Sequence, residues 1–352
     1  MTRGNDLAGK LAAFAAIYLI WGSTYLAIAV GVETIPPLLM IGVRCLVAGG
    51  LLYAFARLRG APPAGAAAWR EAWIAGALLF AGGQGVLAWA EQRVPSGTAA
   101  LLLATTPMFV ALFGWSGGFV AGGRPRTRPT TMSGPALLLG LVGAGLVVGG
   151  GAGGGPLDGL GVAALLFASM SWAAGTMRAG SAHDHSPERR AATHLIAGGT
   201  LLMAAGVITG EAGALDPGVA SLRSLLALAY LIVFGTIIAY SAFVWLLSRT
   251  DPERVASHAY VNPAVAVFLG GTVGGESLTP STLVGAAVVV LSVVLLVTPR
   301  AGGTARSRPP RPAPNSRCRT RSSAAVPPSR ATPFPSRTAS PPDRRTGPPR
   351  AP

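Results

Sequence analysis

The chain has 352 residues, of which 51% are hydrophobic and 12% charged, about half the charge carried by a typical soluble domain. Its apolar residues run in long blocks, which excludes an ordinary water-covered globule and points to a membrane. Of the formal net charge of +15, +11 lies in residues 300–352; no basic patch interleaved with aromatics occurs in the body, which excludes nucleic acid as a partner.

In chain order, ten stretches have the length a bilayer demands. They are Leu11–Val30, Pro37–Ala56, Trp73–Trp89, Gly97–Phe119, Met132–Gly150, Gly159–Met177, Ala191–Ile208, Leu225–Leu247, Val255–Gly274 and Leu283–Val297. The first follows Arg3 and Lys10 and runs through WGST without a small-residue cleavage site, so it is expected to be a retained helix, not a signal peptide. Cys45 sits in the second stretch and Cys318 in the tail, a pattern that suggests neither a disulfide framework nor a metal site, and no cofactor is expected.

Lys and Arg set the expected orientation. With the N-terminus inside, the inner segments hold thirteen Lys and Arg, while the outer loops hold only Arg93 and Arg223. Both termini are therefore expected in the cytoplasm. Five helices per half is an odd number, so the second half must enter the membrane from the opposite side. The resulting expectation is an all-α polytopic membrane protein of ten transmembrane helices in two inverted repeats, residues 11–150 and 159–298, the layout of secondary transporters. Residues 299–352, rich in Pro, Arg and Ser, read as a disordered cytoplasmic tail.

The repeat is visible in the residues. PSGTAALLLATTPMFVALFG and DPERVASHAYVNPAVAVFLG align at an offset of 156, which pairs Pro107 with Pro263, Trp89 with Trp245 and Arg93 with Arg249. At an offset of 151, Trp21 pairs with Trp172, Tyr18 with Ser169 and Tyr25 with Thr176. Positions i, i+3 and i+7 share a helix face, so each half opens with a helix carrying a polar and aromatic stripe centred on Trp.

The ordered set YLIWGSTYLAI, AEQRVPSGTAALLLATTPMFVALF, LIVFGTIIAYSAFVWLL and VNPAVAVFLGGTVGGESLTPSTLVGAAVVVL, together with the Pro…Arg44 pattern of the second helix, resembles the EamA family of the drug/metabolite transporter superfamily over about residues 11–298. The AEQRVPSG segment is most similar to inner-membrane drug or metabolite exporters. The resemblance implies a multi-pass carrier in the cytoplasmic membrane that exports amino acids, metabolites or drugs. Its partners are then a small-molecule substrate and the membrane lipids. The first half departs from the family, with GGRPRT in place of an acidic turn; the second keeps one, GGESLT, in which Glu276 reads as a helix-end contact.

Several residues are candidates for the transport pathway. Arg44 lies inside a hydrophobic helix, where a charge must face protein or a water-filled cavity. It reads either as an anchor for an anionic substrate group or as a structural Arg satisfied by backbone carbonyls. Pro107 and Pro263 each remove a helical hydrogen bond, and paired kinks offer hinge or binding-site geometry; simple packing bends are the plainer reading. Beside them, Asn262 and Tyr260, and the threonines at 105 and 106, are available to substrate or to the broken backbone. Trp21, Tyr25 and Trp172 lie mid-span, suited to stacking or cation–π contacts as well as to packing. Tyr240 belongs to a Thr236–Tyr240–Phe243 stripe, and Gln84 is a lone amide at depth. For proton coupling, Glu91 is the leading carboxylate, with His194 and His258 weaker candidates. Gly145 and Gly149 have the small-xxx-small spacing of close helix packing, within one chain or in a homodimer. No HisGluXXHis motif occurs, which disfavours a membrane-embedded metalloenzyme. A non-transporting scaffold is disfavoured because no folded soluble domain is expected.

Overall fold

The computed structural model describes residues 2–116, 133–150, 158–179, 186–214, 220–250, 252–275 and 279–297. The tail, Glu276 and the GGRPRT turn lie outside them. Every regular element among the described residues is helical.

The principal helices are α1 (Thr2–Gly31), α2 (Pro37–Leu58), α3 (Ala66–Ala90), α4 (Ser96–Ser116), α5 (Ser133–Gly150), α6 (Gly159–Ala179), α7 (Pro187–Ile208), α8 (Leu222–Leu247), α9 (His258–Thr272) and α10 (Pro280–Val297). Seven helical spans, within α1–α4 and α6–α8, are long and apolar enough to cross a membrane; the apolar parts of α5, α9 and α10 are shorter among the described residues. Large apolar side chains such as Leu51, Phe55, Leu226, Phe234, Phe268 and Leu291 stand exposed, as a lipid-facing surface requires.

Local chemistry sets the helix ends. Pro37, Pro187 and Pro280 open α2, α7 and α10, where the missing N–H has no helical acceptor to lose. The Ser186 and Ser221 hydroxyls accept from the N–H groups of Arg189 (3.4 Å) and Ser224 (3.1 Å) and so cap α7 and α8. Past the ends of α2, α7 and α9, glycines 60, 210 and 275 take φ of 83°, 84° and 68°, which only glycine adopts without strain.

Three features depart from the sequence expectation. Both α3 and α8 widen to π-helix in mid-course, over Ala77–Gly85 and Leu231–Ile238, and at the repeat offset of 156 these segments overlap. The α4 helix breaks at Ala104 and Thr105, so Pro107 is the second residue of a restarted helix, not a kink within a continuous one. The α9 helix starts at His258, after a separate turn over Pro252–Val255, and Pro263 lies within it. The two prolines match in sequence, but the breaks beside them fall at different places.

The first five helices interleave with the last five. The α2 helix packs along α7 and α5 along α10; α1 meets α8 and α9, α6 meets α3 and α4, and α3–α7 is matched by α8–α2. Exchanging the halves reproduces the same pairings, and residues 1–299 form one compact unit. Repeat-related side chains also make the same contact: the Arg93 guanidinium lies 4.7 Å over the Trp89 ring and that of Arg249 4.2 Å over Trp245.

Small residues set the closest approaches. A methyl group on Gly76 of α3 would come within 2.6 Å of the Gly198 backbone nitrogen in α7, and one on Gly143 of α5 within 2.8 Å of the Val289 nitrogen in α10. Gly145, expected to mediate close packing, instead faces open space; the helix repeat of 3.6 residues turns it away from the Gly140–Gly143 side that meets α10. The side of Gly149 is outside the described residues. Gly76→Ala is therefore expected to cost about 1–3 kcal/mol by overpacking, read as a lower Tm in detergent micelles. Gly145→Ala leaves Tm unchanged or slightly raised.

Candidate functional site

The stripe on α1 becomes the centre of an aromatic cluster. The Trp21 ring meets its repeat mate Trp172 edge to face, with centroids 5.6 Å apart and planes at 84°. It also meets Phe243 at 5.1 Å and His258 at 4.9 Å. Its Nε1–H donates to the Gly235 carbonyl of α8 at 3.0 Å. That carbonyl belongs to the π-helical segment, where the widened turn disturbs the regular hydrogen-bond ladder. The matching segment of α3 is treated alike: Ser171 of α6 donates to the Leu78 carbonyl at 2.8 Å.

Beside Trp21 lies a cavity walled by both halves of the chain. Its polar and aromatic lining comes from Trp21, Thr24 and Tyr25 of α1, Gln84 of α3, Thr106 of α4, Trp172 of α6, and His258 and Asn262 of α9, with Pro263 beneath. The free space of about 30 Å³ has room for about two waters, far below the few hundred Å³ of a small-molecule site. A second, larger space of about 510 Å³ lies among loops and helix ends, between Glu33, Trp89, Gln92, Thr209 and Glu211.

Eight of the sequence candidates, Trp21, Tyr25, Gln84, Thr106, Trp172, His258, Asn262 and Pro263, thus meet around one cavity. Arg44 stands one layer behind it. It is buried, its Nε donates to Thr236 Oγ1 at 2.5 Å, and one terminal NH₂ donates to Gln84 Oε1 at 3.3 Å. Thr236 in turn donates to the Leu231 carbonyl at 2.9 Å, five residues back in the π segment. Arg44 is therefore held by side-chain oxygens of α3 and α8, and through Gln84 it leaves that residue's NH₂ as the group offered to the cavity.

The second half answers with a pair of its own. His194 Nδ1 and the Tyr240 hydroxyl lie 3.0 Å apart; Tyr240 is the 156-offset partner of Gln84, and His194 stands 150 residues after Arg44. Tyr240 is packed between Phe80 and Phe243 and does not line the cavity. Neither does Pro107, next to the α4 break. The carbonyl that Pro107 cannot bond, that of Leu103, accepts from Thr106 Oγ1 at 2.7 Å, and that of Leu102 from Thr105 Oγ1 at 2.7 Å. Both hydroxyls also meet Ser169 Oγ, at 3.0 and 2.9 Å. The threonines repair the backbone, the plainer of the two readings of their position.

Pro263 has a different neighbour. With the Asn262 amide turned so that each atom meets a complementary partner, Nδ2 donates to the carbonyls of Tyr18 (3.1 Å) and His258 (2.9 Å), and Oδ1 accepts from His258 Nδ1–H at 3.1 Å. Asn262 thus ties α9 to α1 and orients the imidazole. Glu91 is buried at the end of α3, near enough for its charge to bear on Tyr25, but it is not among the lining residues. Tyr260 is on α9, and its side chain lies outside the described residues.

Thr24 and Glu211 were not singled out from the sequence. Thr24 is one position from the Trp21–Tyr25 stripe, and only the approach of α8 decides that it is covered. Glu211 stands outside the membrane-spanning segments and accepts from the N–H groups of Leu38 (2.9 Å) and Leu39 (3.1 Å) at the start of α2, where the helix dipole favours an anion. Its pKa is nevertheless raised, because burial outweighs those two bonds.

An all-α assembly with an exposed apolar surface, interleaved halves and a small aromatic cavity shared by both is the anatomy of a polytopic membrane protein. The chain belongs to the EamA-like transporter family, which it matches twice, over residues 8–148 and 159–298. It is thus a multi-pass membrane transporter with two EamA domains, not an enzyme. It is 39% identical over 298 residues to the uncharacterized inner membrane transporter YedA of Escherichia coli (strain K12), covering 84% of this chain and 92% of that one. It is 25% identical over 296 residues to the probable amino-acid metabolite efflux pump of Salmonella typhimurium, covering 80% and 92%. A solved crystal structure shares the fold at 20% identity and a TM-score of 0.58, over 82% of this chain and 97% of that one.

Thr236→Val removes the acceptor of the Arg44 Nε–H inside the protein. The expected cost is about 1–3 kcal/mol, read as a lower Tm, while Thr236→Ser restores most of it. For Glu211 the sign follows from its raised pKa. Stability from this group is greatest below the ordinary carboxylate pKa and falls as pH rises through the raised value. Tm measured from pH 4 to 7 is expected to decline across that window in the wild type, with the Glu211 component missing in Glu211→Gln.

Proposed function

We propose that the chain is a secondary carrier of the cytoplasmic membrane that exports small organic solutes, amino acids, related metabolites or drugs, by alternating access. In this reading ten helices cross the bilayer as two inverted five-helix repeats, with both termini in the cytoplasm, as the thirteen-to-two distribution of Lys and Arg favours. The observation that carries the proposal is the narrow cavity beside Trp21 and Trp172, to which both repeats contribute walls.

Its small size and its position between the repeats suit a contracted form of such a site. A site at the interface of two interleaved repeats is exposed to one side or the other as one repeat rocks against its mate. The symmetric pairings of α1–α9 with α6–α4 and of α1–α8 with α6–α3 supply the surfaces on which such rocking would occur. The π segments of α3 and α8, spanned by Trp21 and Ser171, are the natural places for the helices to bend. The aromatic faces suit an organic solute, Gln84 and Asn262 suit its polar groups, and the efflux pump of Salmonella typhimurium is a relative whose name supports amino acids.

Protein reconstituted in liposomes preloaded with unlabelled solute is the direct test. Counterflow uptake of at least one of labelled L-phenylalanine, L-threonine or tetraphenylphosphonium is expected. Trp21→Ala, which removes both the cavity wall and the bond to Gly235, is expected to cut that uptake by about tenfold or more. Absence of flux for the whole panel from folded protein would overturn the proposal.

A further inference from the structure

We infer that His258 is the residue that receives an anionic group, a carboxylate in the first instance, of the transported solute, doing so as an imidazolium, so that a proton and the solute enter the cavity together. The inference rests on the carrier reading above and assigns the charge chemistry of that same site.

Arg44 cannot serve this role as it stands. Its Nε–H and one terminal NH₂ are committed to Thr236 and Gln84, and Gln84 separates it from the cavity. The only other lining side chain among the described residues that readily becomes a cation is His258, and no Asp or Glu lines the cavity with it. Its orientation is set from two sides. Asn262 Oδ1 takes the Nδ1–H at 3.1 Å, and the edge-to-face contact with Trp21 at 4.9 Å limits the tilt of the ring. With Nδ1 as donor, Nε2 carries the lone pair, and it has no protein hydrogen-bond partner among the described residues. One nitrogen is structural and the other is left for a proton.

The surroundings decide the sign of the coupling. The titratable groups on that side are Tyr25 of α1, which shares the lining, and Tyr18, whose hydroxyl meets the neighbouring Ser257 Oγ at 2.7 Å. Glu91 of α3 bears on Tyr25 from outside the lining, α8 contributes Phe243, and α4 and α6 contribute Thr106 and Trp172. The guanidinium of Arg44 adds positive potential from behind Gln84. An imidazolium here lacks a lining counter-ion, so the protonated ring and a solute anion stabilise one another, and linkage makes the effect reciprocal. Protonation strengthens carboxylate binding, and bound carboxylate holds the proton.

Binding of labelled L-phenylalanine and of phenethylamine, which lacks the carboxylate, tests this in protein held in lipid nanodiscs from pH 5.5 to 7.5. Phenylalanine affinity is expected to fall about tenfold over that range, the size of one lost charged contact, while phenethylamine affinity stays flat or rises. His258→Gln binds phenylalanine more weakly and with a flat profile. A wild-type profile that is flat for phenylalanine, or a His258→Gln profile with the wild-type slope, overturns the inference. Failure of the wild type to bind either probe counts against these solutes and leaves the imidazolium to a second readout, ¹⁵N-histidine spectra with saturating benzoate. A His258 ring, identified by its loss in His258→Gln, that becomes cationic near pH 6 with benzoate supports the inference. A ring still neutral at pH 5.5 overturns it.

Discussion

Inside hydrocarbon no water is available to a backbone N–H or carbonyl, and this one constraint organises the molecule. Wherever a helix departs from regularity, a side chain from another place closes the gap. Trp21 serves the Gly235 carbonyl in the π segment of α8, Ser171 serves Leu78 in that of α3, and Thr106 serves the Leu103 carbonyl that Pro107 leaves without a donor. The polar atoms of these irregular stretches are turned to the interior, where Gly235 and Leu78 find donors on neighbouring helices and Leu103 finds one within α4.

The repeat shows how one architecture carries two chemistries. Trp89 with Arg93 and Trp245 with Arg249 are the same contact made twice. Arg44 with Gln84 and His194 with Tyr240 occupy corresponding helices, yet one pair has a permanent cation and the other a titratable imidazole. The prolines match in sequence while the helix breaks do not, and at the offset of 156 Thr106 of α4 is answered by Asn262 of α9, both in the cavity lining. The packing is symmetric while the polar groups it brings together are not.

Much of this was legible in the residues. Apolar blocks, the offsets of 156 and 151, and the family resemblance identified a helical membrane transporter with two related halves. Trp21, Tyr25, Gln84, Trp172, Asn262 and Pro263 were each marked from mid-span position or helix-face spacing, and they do converge. His258 ranked low because a histidine near the start of a helix carries no local sign of facing a cavity. Arg44 ranked high because a buried charge is conspicuous in any hydrophobic run, whatever stands between it and the site.

By itself the sequence determined the environment, the helical class and the presence of two repeats, since these depend on composition and on spacings within single helices. Tertiary structure alone decided which polar side chains line the cavity and which repair backbone. Thr106 reaches Leu103 within its own helix, yet its exposure to the cavity and its meeting with Ser169 arise only when α4 packs on α6. Arg44 falls behind the wall only because α8 brings Thr236 to it. Helix spacing specifies a face, but the neighbour that covers the face comes from residues far along the chain, and no local pattern records that encounter.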